Sequence, residues 1–173
     1  MKRKTSRNTK AADGLALQIT GRAGRSYFPY LRKHLIAAHG LLSPPLESLS
    51  LALVGDDSMS ELHQGFLGIS GPTDVLTFEL EHDAQGRVTF GEVVICVTEA
   101  RRHARERGTS VRQELILYAV HGMLHLSGFD DRTDSGYRTM HRKEDHILTR
   151  LGVGPVFAGA APRRRPAGRS KEQ

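Results

Sequence analysis

Residues 121–131 read HGMLHLSGFDD, which sets the imidazoles of His121 and His125 four positions apart and follows them with Gly128 and the carboxylate of Asp131. On a helix, residues four apart differ by about 40° around the axis and about 6 Å along it, so both rings face one side and can close on one ion. Gly128 is a natural stop, because glycine takes the left-handed conformation that ends a helix and turns the chain back. Asp131 can then come round as a third ligand. Three protein ligands leave a tetrahedral Zn²⁺ with an open position for water, the layout of a catalytic site rather than a structural one. The plainer alternative is a pair of helix histidines with core or surface duties. The glycine and the acid at these offsets weigh against it. The single cysteine, Cys96, lies in the apolar run VVICV with no second thiol near it, so it reads as a small buried hydrophobe and not as part of a cysteine zinc site.

The elements that must position these residues are legible from periodicity and stop signals. Residues 15–20 alternate as a strand. RSYFPYLRKHLIAAHG then spaces Phe28, Leu31, Leu35 and Ile36 as a helix. SLSLALVG (48–55) is a second strand, and DDSMSELHQGFLG a short helix ended at Gly68. DVLTFEL (74–80) and VTFGEVVICV (88–97) make a hairpin. Three helices follow: TEARRHARERG ending at Gly108, residues 110–128 opened by a Ser110 cap with Glu114 behind it, and residues 134–152. The expected class is α+β: a small mixed four-stranded sheet packed with about five helices, its metal site at the end of a central C-terminal helix.

At 173 residues, with 38% hydrophobic and 25% charged residues, the chain fits one domain, taken as residues 15–154. No apolar run approaches the roughly 20 residues a bilayer span needs, and MKRKTSRNTK has charge with no apolar segment behind it. A cytoplasmic protein with no membrane partner is expected. The net charge of +6 is concentrated in the ends. Residues 1–14 carry five Lys/Arg and one Asp, and residues 156–173 carry five Lys/Arg and one Glu, so each end is +4 and the remainder is −2. Tails rich in Arg, Pro, Gly and Ala bury too little apolar area to offset chain entropy, so residues 1–14 and 155–173 are expected to be disordered. They serve either as electrostatic tethers to RNA or as solubilising ends.

The spacing H-x-x-x-H-x-x-G-x-x-D matches the metzincin pattern of ligands and glycine. Zinc peptidases place their general-base Glu directly after the first His, and here that position is Gly122. A peptidase reading is correspondingly weak. The stretch resembles instead the H-G-x-L-H-L-x-G-Y-D-H signature of the YbeY family. GPTDVLTF (71–78) is similar to that family's P-T-D-V-L-S-F strand, and FGEVVICV (90–97) to its L-G-D-I-V-I-S segment. Met140 and Glu144 stand where its last helix carries a Met and a Glu, and the likeness covers about residues 48–152. The resemblance implies a single-strand-specific, zinc-dependent endoribonuclease acting in small-subunit ribosomal RNA maturation and ribosome quality control. Its partners would be ribosomal RNA and small-subunit components, and not DNA.

Two positions depart from the family pattern. Asp131 replaces a third histidine, which lowers the site's formal charge by one and favours harder metals somewhat. Leu67 in LHQGFLG replaces an arginine thought to engage phosphate or activated water, a role leucine cannot fill. Arg112, Arg132 or Arg138 would have to supply it. Candidate helpers to the metal are Glu92, His63 and Glu114, the last seven residues before His121 and so on its helical face. Each has a dull alternative, as a solvated strand residue, a surface histidine and a helix N-terminal acid respectively. Thr73 and Asp74 line the groove or simply make a turn, and Asp130 is a candidate to bind the other nitrogen of a ligand histidine. The alternative function is an assembly factor that binds ribosomal precursors, keeps a structural metal and has little nuclease activity.

Overall fold

The computed structural model describes residues 14–156. Nearly all of both basic ends therefore lies outside the described residues, as does the expectation that they are disordered. The chain runs β1 (Ala16–Gly21), a 3-10 turn (Arg25–Tyr27), α1 (Phe28–Leu42), β2 (Ser48–Val54), α2 (Asp56–Leu67), β3 (Val75–His82), β4 (Val88–Cys96), α3 (Val97–Arg107), α4 (Val111–Leu126) and α5 (Asp134–Arg150). The four strands form one sheet in the order β1-β2-β4-β3. β1 and β4 flank β2 in parallel, and β3 pairs antiparallel with β4 as the expected hairpin. The mixed α+β architecture read from the sequence is the one observed.

Alternation in the strands separates two apolar layers. Leu49, Leu51, Leu53, Val93 and Ile95 point to the main core with α1 and α4, while Val94, Cys96 and Leu76 point the other way, onto Met59 of α2. Cys96 is a buried small side chain, as its apolar neighbours implied. α4 is the central helix: Leu115 to Val120, Met123, Leu124 and Leu126 are all buried, so it is apolar around nearly its whole circumference, as a helix enclosed on several sides must be. It lies so close to the sheet that a Cβ on Gly122 would fall 2.7 Å from Val93 Cγ2, and one on Gly91 would fall 2.5 Å from Leu126. These two glycines set how deeply α4 sits against the sheet.

Candidate metal centre

α4 opens with a capping box in which Ser110 Oγ accepts from the Gln113 N–H and Gln113 Oε1 accepts from the Ser110 N–H. The sequence reading paired Ser110 with Glu114; the residue three positions on, Gln113, is the one whose side chain reaches back. At the other end, Gly128 takes φ +87° and its N–H returns to the His125 carbonyl at 2.9 Å, while the Phe129 N–H reaches the Leu124 carbonyl at 3.1 Å. This left-handed step turns the chain back over the last turn of the helix.

The result brings His121, His125 and Asp131 together, with one ligand atom from each lying within 4.8 Å of the others. The two Nε2 atoms are 3.0 Å apart, and Asp131 Oδ1 lies 3.9 Å from His125 Nε2. Both rings have their outer nitrogen committed. His121 Nδ1 donates to Glu144 Oε1 at 2.6 Å, and His125 Nδ1 donates to the Phe129 carbonyl at 3.1 Å. Each acceptor can only accept, so the Nδ1 atoms carry protons, and once the rings are neutral their Nε2 lone pairs converge. Tetrahedral zinc with its usual nitrogen distances would hold two imidazole nitrogens about 3.3 Å apart. The donor set fits one small divalent cation.

Glu144, fully buried on α5, is the anchor of this arrangement. Its second oxygen accepts from His141 Nδ1 at 2.6 Å, so one carboxylate orients two imidazoles. Burial alone would raise its pKa, but the hydrogen bonds from His121 and His141 outweigh burial and lower it. Burial would likewise depress His121, and the hydrogen bond and charge of Glu144 outweigh it, so this ring is raised. His125 is lowered, by burial first and by the neighbouring His121 second. His141 stacks on His121 with ring centroids 6.5 Å apart. It is a site residue that spacing arguments miss, because its connection to α4 is tertiary.

The expected helpers are distributed differently. Glu92 lies on the α2 face of the sheet, since its neighbours Gly91 and Val93 face α4, and it accepts from Ser50 Oγ at 3.2 Å. The sheet separates it from the ligands. Glu114 is seven residues, about 10 Å of helix, from His121 and is fully buried. Its oxygens take bonds from Arg107, Thr109 and Tyr118 at 2.6–2.9 Å, tying α3 to α4. His63 on α2 meets the Gly71 carbonyl through Nδ1 at 2.8 Å and so steadies the loop before β3. Asp74 in that loop accepts from the Val75 N–H and the Thr73 hydroxyl, and its charge reaches His121 and Tyr118. Asp130 does not orient a ligand histidine: its carboxylate is engaged by Arg132 Nε at 2.8 Å, and the places it was expected to fill belong to Glu144 and the Phe129 carbonyl.

The basic substitutes for the missing arginine also sort out. Arg112 sits on the Tyr30 ring, 5.6 Å from its centroid, at the far end of α4, and Arg132 is held by Asp130. Arg138 is exposed near the start of α5. Leu67, 58% exposed at the end of α2, offers neither donor nor charge. Gly122 is packed against Val93 and Thr77, so the position that holds the base in zinc peptidases has no room for a side chain here.

Residues 30–152 match the family model described as Endoribonuclease YbeY, a span covering most of the described chain and the whole ligand set. The chain belongs to the YbeY endoribonuclease family. It is 35% identical over 132 residues to the Endoribonuclease YbeY of Acidothermus cellulolyticus, covering 70% of this chain and 80% of that one. The Moorella thermoacetica member is 39% identical over 114 residues, covering 61% and 73% respectively. The fold is similar to the solution structure of TM1509 from Thermotoga maritima, with TM-score 0.56 and 26% identity over 86% of this chain and 99% of that one.

Proposed function

We propose that this chain cuts single-stranded ribosomal RNA at one zinc ion held by His121, His125 and Asp131, in small-subunit RNA processing and ribosome quality control. The observation that carries the reading is the pair of Nε2 atoms 3.0 Å apart, both with their Nδ1 protons already committed, beside a carboxylate. A cation bound there supplies a Lewis acid for a phosphodiester oxygen and acidifies a water molecule. The protein's part is to hold the donors ready. Glu144 keeps the proton of His121 on Nδ1, and the Phe129 carbonyl does the same for His125, so neither ring has to change tautomer to bind.

Asp131 contributes a formal negative charge where the family signature has a neutral ring. The site should therefore acidify water less than a three-histidine site would and tolerate harder metals better. His125→Ala should remove both zinc content and RNA cleavage from the purified protein, measured by elemental analysis and by cleavage of a ribosomal precursor RNA. Cleavage that persists in zinc-free protein would end the zinc-enzyme reading. Leu67 favours the second reading, an assembly factor with a structural metal, because an exposed leucine stands where phosphate would be gripped. Stoichiometric zinc with no cleavage of any precursor would select it. A peptidase finds no support, since position 122 is filled by the sheet.

A further inference from the structure

The metal centre has an aromatic neighbour that neither the ligand pattern nor the family motifs include. Tyr137 lies in the first turns of α5, and its ring meets His141 edge to face, with centroids 4.0 Å apart. His141 in turn stacks on the ligand His121 and shares Glu144 with it. Tyr137 is therefore two ring contacts from the metal position. A second contact places it there independently. Gly136 packs so tightly on the ligand loop that a Cβ would lie 2.2 Å from the Asp130 carbonyl oxygen, which presses the start of α5 against the segment carrying Asp131. Despite these contacts, Tyr137 is 41% exposed, on a molecule whose other ring residues at the centre are largely covered.

Proteins that hold unpaired RNA use exposed aromatic rings as platforms for the bases, and stacking tolerates any base because each has a π face. We propose that Tyr137 is such a platform, on which a base of single-stranded RNA stacks so that the adjoining phosphodiester lies at the metal centre. The inference rests on the endoribonuclease reading of the same site. It also offers a source of substrate grip where Leu67 provides none. Phe66, the most exposed aromatic ring among the described residues, is a poorer candidate. It packs on Phe78 at 4.8 Å on the face of the sheet away from α4, where Glu92, the cross-strand neighbour of Phe78, would repel a phosphate chain.

The test compares metal-loaded wild type with Tyr137→Ala and Tyr137→Phe, reading fluorescence anisotropy of one labelled RNA as a single strand and as a duplex. Tyr137→Ala should weaken single-strand binding about 5- to 150-fold, the loss of one stacked base, and leave duplex binding unchanged. Tyr137→Phe should bind like wild type, and both variants should keep full zinc content. Equal single-strand affinity for wild type and Tyr137→Ala would overturn the platform, as would a Tyr137→Phe loss as large as that of alanine. A cleavage assay on the same RNA separates the two readings: a wild type that binds through Tyr137 without cutting supports the platform and removes the nuclease.

Discussion

Glu144 shows how much of a candidate metal site can reside in a residue outside the candidate ligand set. Its carboxylate fixes His121 and His141 together, so Glu144→Gln, which keeps the shape and loses the charge, should weaken zinc binding about 10- to 100-fold in chelator competition. The same contacts set a pH dependence. Glu144 is held below its ordinary 4.5, so its contribution to stability is complete above that value and is lost as pH falls through the lowered one. His121 is raised above 6.5, so in metal-free protein its contribution is complete below that value and is lost as pH rises through the raised one. Thermal unfolding of chelated protein should therefore show wild type losing stability as pH rises above 6.5, with the loss much reduced in Glu144→Gln. Zinc affinity should climb over the same window, because the ion competes with the His121 proton. His121 and His125 are legible from helical spacing and Asp131 from the glycine that turns the chain, whereas the His121–Glu144 bond joins residues 23 positions apart and has no local signature. Glu114 illustrates the opposite error. Seven residues share a helical face, but two turns of rise take the carboxylate away from the ions' end and into the core.

At the scale of the element, α4 is held by contact with the sheet more than by its own amphipathicity. Gly122 against Val93 is the closest part of that contact, and Gly122→Ala should cost about 1–3 kcal/mol in urea or thermal unfolding through overpacking. Combining it with Val93→Ala, which removes the clashing methyls, should give a total loss clearly smaller than the sum of the single losses. Additive losses would mean that α4 shifts as a body instead. The elements themselves are readable because their caps and glycine stops are strong: the left-handed C-caps at Gly68 and Gly108 fall where the sequence places helix ends. Which face of a strand meets which helix is not readable. β4 is apolar on both sides, so alternation alone could not tell that Glu92 faces α2, and only the strand order and the α4 packing decide it.

For the whole molecule, a site shared between α4, its trailing loop and α5 ties metal occupancy to global stability. Stripping zinc from protein held at about 100 times its dissociation constant should remove about 2.7 kcal/mol. This is seen as a drop of roughly 5–10 °C in unfolding temperature on adding chelator. No helix among the described residues is long and apolar enough to cross a membrane. With −2 on residues 15–155 and +4 at each end, the ends are either electrostatic tethers to RNA or solubilising segments. Deleting residues 156–173 should weaken RNA affinity and flatten its salt dependence, and an unchanged slope would leave that segment a solubilising end. The order of parts along the chain has a consequence for synthesis. His121, His125 and Asp131 are made before His141 and Glu144, so a growing polypeptide would display the three proposed ligands while still lacking the carboxylate that holds the His121 proton on Nδ1. Zinc held as proposed would be captured firmly only once the last helix is finished and docked, and a chain interrupted between the two segments would be left with a weak, proton-sensitive chelator in place of an enzyme.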